Sequence, residues 1–212
     1  RLVVRALFEL HILDRSMRIL QTVPGEYHGF IAASNDSVFH VRYDGEGLGV
    51  LHRSSHDGTV EAEYQLEGYC FWSLVLAPGG LLFCSIFVEE DGDGNQDEIV
   101  ALDAQTLQLR HRFGLGLLTD AGRLVVAGDE LYVCDTGNDR LQVFSLTGEH
   151  RRSVTGDWKS PQLLCFAKGR LYLVEKRASR KQTQAAGFLC CRCRATSCRL
   201  SRTQRSRGPG ST

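Results

Sequence analysis

The sequence predicts an all-β fold: a β-propeller of four-stranded antiparallel blades, about four of them present, followed by a disordered tail. Three observations carry this reading. Four segments close alike on a glycine, at Gly25, Gly68, Gly114 and Gly156, which are spaced by 43, 46 and 42 residues. Each interval holds several short β-rich runs separated by turn residues, too many strands for a helical repeat and the number a propeller blade needs. The formal charge of zero is the sum of a body at −10 over residues 1–175 and a segment at +10 over 176–212 that contains no acid. The repeat and the basic segment are therefore separate parts of the chain.

The elements follow in order. Residues 2–25 supply a half blade with the last two strands of a unit, 6–13 and 18–23. In the whole blade 26–68, runs 29–33 and 37–43 flank Asn35-Asp36, and runs 48–53 and 59–65 flank Asp57-Gly58. In 69–114, runs 72–76 and 81–88 flank Pro78-Gly79-Gly80, and 98–102 precedes 107–112. The blade 115–156 shows the unit best. There 122–127 (GRLVVA) turns at Gly128-Asp129 into 130–134 (ELYVC), the loop 135–139 leads to 140–145 (RLQVFS), and Thr147-Gly148 turns into an outer strand ending at Val154. Such turn residues between alternating apolar runs mark hairpins. Residues 157–175 give a second half blade, 162–166 and 170–175 around Lys168-Gly169. Closure of a ring removes exposed strand edges, so a four-bladed ring with one composite blade is one outcome. An open arc cut from a larger propeller is preferred.

Composition bounds the rest. At 42% hydrophobic and 24% charged, the chain is of the globular class. The uncharged stretch Cys70 to Val88 has the length of a membrane span. It is broken by Ala77-Pro78-Gly79-Gly80, so it reads as a buried hairpin and no membrane partner is expected. The chain starts at Arg1 with no basic-then-apolar leader, and it is read as a fragment or a processed product. Cys70, Cys84, Cys134 and Cys165 stand singly in apolar runs, as small buried hydrophobes of a reducing compartment, which favours the cytoplasm. Cys190, Cys191, Cys193 and Cys198 crowd the basic segment, which is rich in Arg, Ser and Thr, lacks periodicity and reads as disordered.

The segment 131–149, LYVCDTGNDRLQVFSLTGE, resembles the NHL repeat, whose pattern runs close to hydrophobic-Tyr-Val-Ala-Asp-Thr-Gly-Asn-His-Arg-Ile-Gln-Val-Phe before a Gly turn. Asp135, Thr136, Gly137, Asn138, Arg140, Gln142, Val143 and Phe144 match, and Asp139 replaces the usual His. Over residues 2–134 and 161–175 only the strand-and-turn grammar is shared. The resemblance implies a six-bladed propeller of the TolB-like class, of which roughly two blades lie outside this chain. The residues have their own account: Asp135 accepts from backbone N–H groups two or three residues on, and Gly137 and Asn138 tolerate a left-handed turn. Arg140 opens a strand whose Leu141, Val143 and Phe144 pack between blades. On that account Asp135→Ala costs on the order of 1 kcal/mol.

Chemical candidates are few. Asp91, Asp93, Asn95 and Asp97 alternate as a calcium loop requires, although Gln96 and Leu102 depart from the EF-hand pattern where Gly and Glu are expected. Calcium at these four residues is the one cofactor the sequence admits, against a solvated acidic loop. His52 and His56 stand four apart, about 13 Å along a strand, too far to share a zinc ion unless the turn at Asp57-Gly58 folds them together. The cysteines of the basic segment lack the spacing of paired zinc knuckles. No dinucleotide motif and no Ser-His-Asp or Cys-His arrangement is legible.

The function expected is that of a non-enzymatic scaffold or recognition module, with a protein partner on a propeller face, because rigid blades hold loops in fixed positions. The resemblance adds substrate-recognition and scaffold roles, RNA binding in some relatives and, in other six-bladed propellers, metal-dependent lyase or lactonase activity. The body's charge of −10 opposes nucleic acid, which is expected only through the basic tail.

Overall fold

The computed structural model describes residues 2–5, 9–14, 16–24, 28–43, 49–65, 69–88, 96–175, 188–194 and 197–202. They form five antiparallel sheets, each a meander in which every strand pairs with its neighbour in sequence. The first sheet comprises β1 (Leu2–Arg5), β2 (Glu9–Leu13) and β3 (Ile19–Pro24). The second comprises β4 (His28–Ala33), β5 (Ser37–Tyr43), β6 (Gly49–Ser55) and β7 (Val60–Gln65). The third holds β8 (Tyr69–Ala77), β9 (Leu81–Val88), β10 (Gln96–Asp103) and β11 (Leu109–Leu118). The fourth holds β12 (Ala121–Ala127), β13 (Glu130–Asp135), β14 (Arg140–Ser145) and β15 (His150–Thr155). The fifth holds β16 (Pro161–Ala167), β17 (Arg170–Glu175), β18 (Phe188–Arg194) and β19 (Ser197–Arg202).

The all-β, four-stranded antiparallel blades expected from the repeat are thus the fold. Two details differ. The first sheet carries a third strand, β1, in register with β2 from Leu2↔Leu13 to Arg5↔Leu10. Gly114 does not end an element; β11 runs through it to Leu118, with a register shift between Asp97 and Ile99 of the facing strand. Its φ of +89° and the 2.8 Å from an added Cβ to Leu118 Cδ1 explain the glycine at position 114. Of the segment 176–212, the described part is β18 and β19, whose backbones extend the fifth sheet beyond β17.

Period-two alternation sends one face of each sheet to the preceding sheet and the other to the following one. Leu10, Ile12 and Val23 of the first sheet meet Ile31 and Val38 of the second. Phe39, Val41 and Leu51 meet Leu82, Cys84, Ile86, Val100 and Leu102 of the third. Phe83, Ile99 and Ala101 on the third sheet's other face meet Leu124, Leu131, Val133 and Phe144 of the fourth. Tyr132 and Val143 then reach Leu171, and Cys134 and Leu141 reach Trp158 and Leu173. The strands β4, β8, β12 and β16, each first in its sheet, run side by side along the inner edge. No core cluster of the described residues joins the first sheet to the fifth.

The stretch that has the length of a membrane span is the hairpin of β8 and β9, closed at Ala77↔Leu81. No described helix is long and apolar enough to cross a membrane. Cys84 and Cys134 are buried as expected, and desolvation pushes the Cys134 thiol up to about 12. Cys165 is exposed, which corrects the expectation that it lies in the core. It pairs with Tyr172, and the residue before it, Leu164, pairs with Leu173 on the face that packs on the fourth sheet. Alternation therefore turns Cys165 to the other face.

Phe144, 1% exposed, sits tilted on Phe113 with ring centroids 5.1 Å apart. Phe144→Ala removes this contact between adjacent blades and should destabilise the protein by about 3–5 kcal/mol in urea titration. A loss below about 1 kcal/mol would show that the two blades do not share a packed core.

Candidate functional site

Residues 119–120 join the third sheet to the fourth, and residues 156–160 the fourth to the fifth, as short connectors that leave one ladder and enter another. Their N–H groups therefore lack strand partners. At the connector between the third and fourth sheets, carboxylates from both sides supply the acceptors. Asp135, the last residue of β13 and 0% exposed, accepts from the Thr119 N–H through Oδ1 at 2.8 Å. From the third sheet, Asp97 Oδ2 accepts from the Ala121 N–H at 2.8 Å.

The next connector repeats the device. Asp139 Oδ1 accepts from the Ser160 N–H at 2.7 Å, and its Oδ2 from Lys159 Nζ at 2.7 Å. Glu175, ending β17, accepts from the Lys159 N–H at 3.1 Å. Asp135 and Glu175 thus hold equivalent places, paired with Ala121 and Pro161 at the start of their first strands. Asp97 and Asp139 grip the same connectors from the preceding sheet. Four carboxylates tie two consecutive junctions.

The NHL-like segment forms the rest of this face. Asp135 Oδ1 also accepts from Asn138 Nδ2 at 2.9 Å, and Oδ2 accepts from Arg140 Nε at 2.6 Å and Gln142 Nε2 at 3.2 Å. Arg140 donates onward to the Leu117 carbonyl at 3.1 Å, and Thr136 Oγ1 to the Pro161 carbonyl at 2.6 Å. Two expectations about the loop are corrected. Asp135 makes no side-chain cap to the 3-10 turn Thr136–Asn138 that follows it, because its carboxylate is turned onto Thr119 of the preceding connector. The left-handed residue is Asp139, at φ 55°, rather than Gly137 or Asn138. Gly137 serves close approach instead: its N–H donates to the Thr119 carbonyl at 2.9 Å, and an added Cβ would lie 2.7 Å from Thr119 Cγ2.

Of the calcium candidates, Asp91, Asp93 and Asn95 lie outside the described residues. Asp97 is on β10, 1% exposed, with one carboxylate oxygen given to Ala121. Burial raises its pKa above the ordinary carboxylate range, and the nearby Asp120 and Asp135 add to the shift. Lys159, in contrast, lowers that of Asp139, helped by the Ser160 N–H. His52 is drawn to His40 on the neighbouring strand, with ring centroids 5.3 Å apart. Among the described residues, no group of three or more His, Cys, Asp or Glu side chains is placed to hold a metal ion. The side chains of Cys190, Cys191, Cys193 and Cys198 lie outside the described residues.

Sequence reasoning missed Glu175 and the structural work of Asp97 and Asp139. The signal was present in the like pattern of ELYVCD at 130–135 and RLYLVE at 170–175, which share Leu-Tyr and each end on an acid. Asp139, which departs from the repeat's usual His, finds its reason in Lys159 and Ser160 across the junction.

No family model matches the chain, and no curated protein matches it. Solved structures do. A protein of unknown function from Bacteroides caccae is 11% identical, with a TM-score of 0.62 over 94% of this chain and 72% of its own. The hydrazine synthase of Kuenenia stuttgartiensis is 9% identical, with a TM-score of 0.67 over 92% of this chain and 65% of its own. A provisionally assigned 6-phosphogluconolactonase from Bacteroides uniformis is 16% identical, with a TM-score of 0.57 over 92% of this chain and 62% of its own. The chain therefore spans less than two thirds of the last two. At such identities the likeness establishes a propeller-like fold and nothing of activity.

Asp135→Ala deprives four donors of an acceptor that is itself fully buried. The loss should reach about 3 kcal/mol in urea titration, more than the single lost turn bond expected from sequence. A cost near or below about 1 kcal/mol would contradict the clamp. Asp97→Asn should act in the opposite sense. Because the folded-state pKa of Asp97 is raised, the unfolded chain ionises first, and the native state carries a penalty that grows as pH rises through the carboxylate range. Asparagine keeps an acceptor for Ala121 and removes the charge. Its stability relative to the parent should therefore improve between about pH 3.5 and pH 7 in paired denaturation curves, and a constant or shrinking difference would refute this.

Proposed function

We propose that the chain is a non-enzymatic protein-interaction scaffold, a recognition module of NHL-repeat propeller type whose connector face receives a protein partner. The supporting observation is the pair of carboxylate-clamped junctions, which hold the connectors and the turn 136–138 at fixed positions. On that fixed frame Leu115 and Leu117 stand 58% and 42% exposed, while the Leu117 carbonyl is held by Arg140. Apolar side chains on a pinned backbone lose little conformational freedom on binding, the property that makes an interface anchor effective. A metal-dependent lyase or lactonase remains the rival reading. It calls for a convergent carboxylate and imidazole set, and no feature of the described residues favours it over the scaffold.

Two surface variants separate the faces. Leu115→Ser with Leu117→Ser alters the connector face, and Thr106→Arg with Lys168→Glu alters the hairpin turns at the opposite end. Quantitative co-purification from cells should show proteins lost by the first variant and kept by the second, with both melting like the parent. Equal retention by both would overturn the proposed face.

A further inference from the structure

Among the described residues the first sheet has three strands where the others have four, and the place left open in it can be identified. Residues 9–14 (ELHILD) lead through β2 as residues 98–103 (EIVALD) lead through β10. Both aspartates then cap the turn that follows. Asp14 Oδ1 accepts from the Ser16 N–H at 2.8 Å, and Asp103 Oδ1 from the Gln105 N–H at 3.0 Å. Leu10 pairs with Val23 as Ile99 pairs with Phe113. Val23 in turn lies against Gly58 as Phe113 lies against Gly148, each glycine in the last hairpin of the following sheet. Thus β2 and β3 hold the third and fourth places of a blade, and β1 holds the second.

The open place is the first, inner one. In the other four sheets the second strand is paired on both sides, whereas β1 pairs with β2 alone among the described strands. Its other edge presents backbone N–H and C=O groups, a template for a further strand. The inner strands β4, β8, β12 and β16 run in a row, and no described strand continues that row beyond β4. The outer edges of the sheets are guarded differently: β7, β11 and β15 carry Glu61 and Glu63, Arg110 and Arg112, and Arg151 and Arg152, charges that deter strand addition. β1 reads LVVR.

The strands that fill the inner place elsewhere specify what fits. In the common register their closing residues read IAAS at 31–34, LVLA at 74–77, LVVA at 124–127 and LCFA at 164–167, three apolar residues and a small one. The run is unbroken because an inner strand meets a neighbour on each face. Leu124 and Val126 enter the core shared with the third sheet, and Val125 and Ala127 pack toward the fifth. Leu2 faces Leu13 as Leu82 faces Leu102, so a strand added to β1 sets the equivalents of Leu76, Val75 and Leu74 opposite Leu2, Val3 and Val4. The residue opposite Val3 then turns to the second sheet, as Val75 turns to the fourth, and joins the core of Leu10, Ile12, Ile31 and Val38.

We propose that the first sheet is completed in trans by an extended segment of a partner protein, with three consecutive apolar residues followed by Ala or Ser, pairing antiparallel with β1 beside β4. Main-chain hydrogen bonds to the β1 edge supply the affinity, and the side chain entering the core between the first and second sheets supplies the selection. A segment with proline in this run is refused, because it lacks the N–H that the ladder needs. The occupant follows from continuity with the row of inner strands. The proposal is independent of the connector-face reading, and either can fail without the other.

The test is amide hydrogen exchange of the full chain with a synthetic peptide that copies residues 121–127, AGRLVVA. A control peptide carries Leu124→Pro and Val125→Pro, which removes an N–H from either edge of the strand. With the copy at about 1 mM, exchange at residues 2–5 should slow by about tenfold or more, while the outer strands 60–65, 109–118 and 150–155 are unchanged. The control peptide should leave residues 2–5 as they are in the chain alone. No slowing at residues 2–5, equal slowing by both peptides, or equal slowing at the outer strands would overturn the proposal. So would protection of residues 2–5 that rises with chain concentration in the absence of peptide, since a second copy of the chain would then fill the place.

Discussion

A propeller built from meanders satisfies the backbone within each blade and leaves it unsatisfied between blades. The described connectors cross from one ladder to the next, and there their N–H groups have no ladder partners. The chain answers this with carboxylates held at the ends of strands. Asp97 and Asp135 close on one connector, Asp139 and Glu175 on the next, in each case one acid from the blade before and one from the blade after. Charge-assisted acceptors of this kind bond more strongly than neutral ones, and each bond spans two blades. The register between sheets is therefore set by polar contacts, while the apolar clusters between them supply the burial.

That division of labour supports the proposed scaffold reading. Along the connector face it immobilises the backbone beneath exposed leucines, which is what a recognition surface needs. In the second sheet the buried polar residues include two stacked imidazoles, His40 and His52. Neutral imidazoles pack there, and charged ones are opposed by burial and by Arg42.

Much of this was legible in the sequence, and the limits are physical. The strand order and the blades from residue 26 to residue 156 followed from period-two alternation and turn residues, both local signals. The motif DTGNDR marked the right loop but for the wrong reason. A local reading gives an aspartate before a glycine a turn to cap, whereas the acceptor's real donor, Thr119, lies 16 residues back across a junction. Cys165 was assigned to the core because its neighbours are apolar, yet alternation turns it away from the packed face. The stacking of His40 on His52 needs the pairing register of β5 and β6, which spacing along the chain does not encode.

The account stands on the claim that the connector amides are held by carboxylates rather than by water. Amide hydrogen exchange followed by NMR at Thr119, Lys159 and Ser160 tests it most directly, because none of these residues lies in a strand. If the clamps exist, these three amides exchange within about tenfold of the ladder amides of β13 and β14, although Thr119 and Lys159 are at the surface. Exchange as fast as that of the exposed turn amides at Asp129 and Thr147 would contradict it.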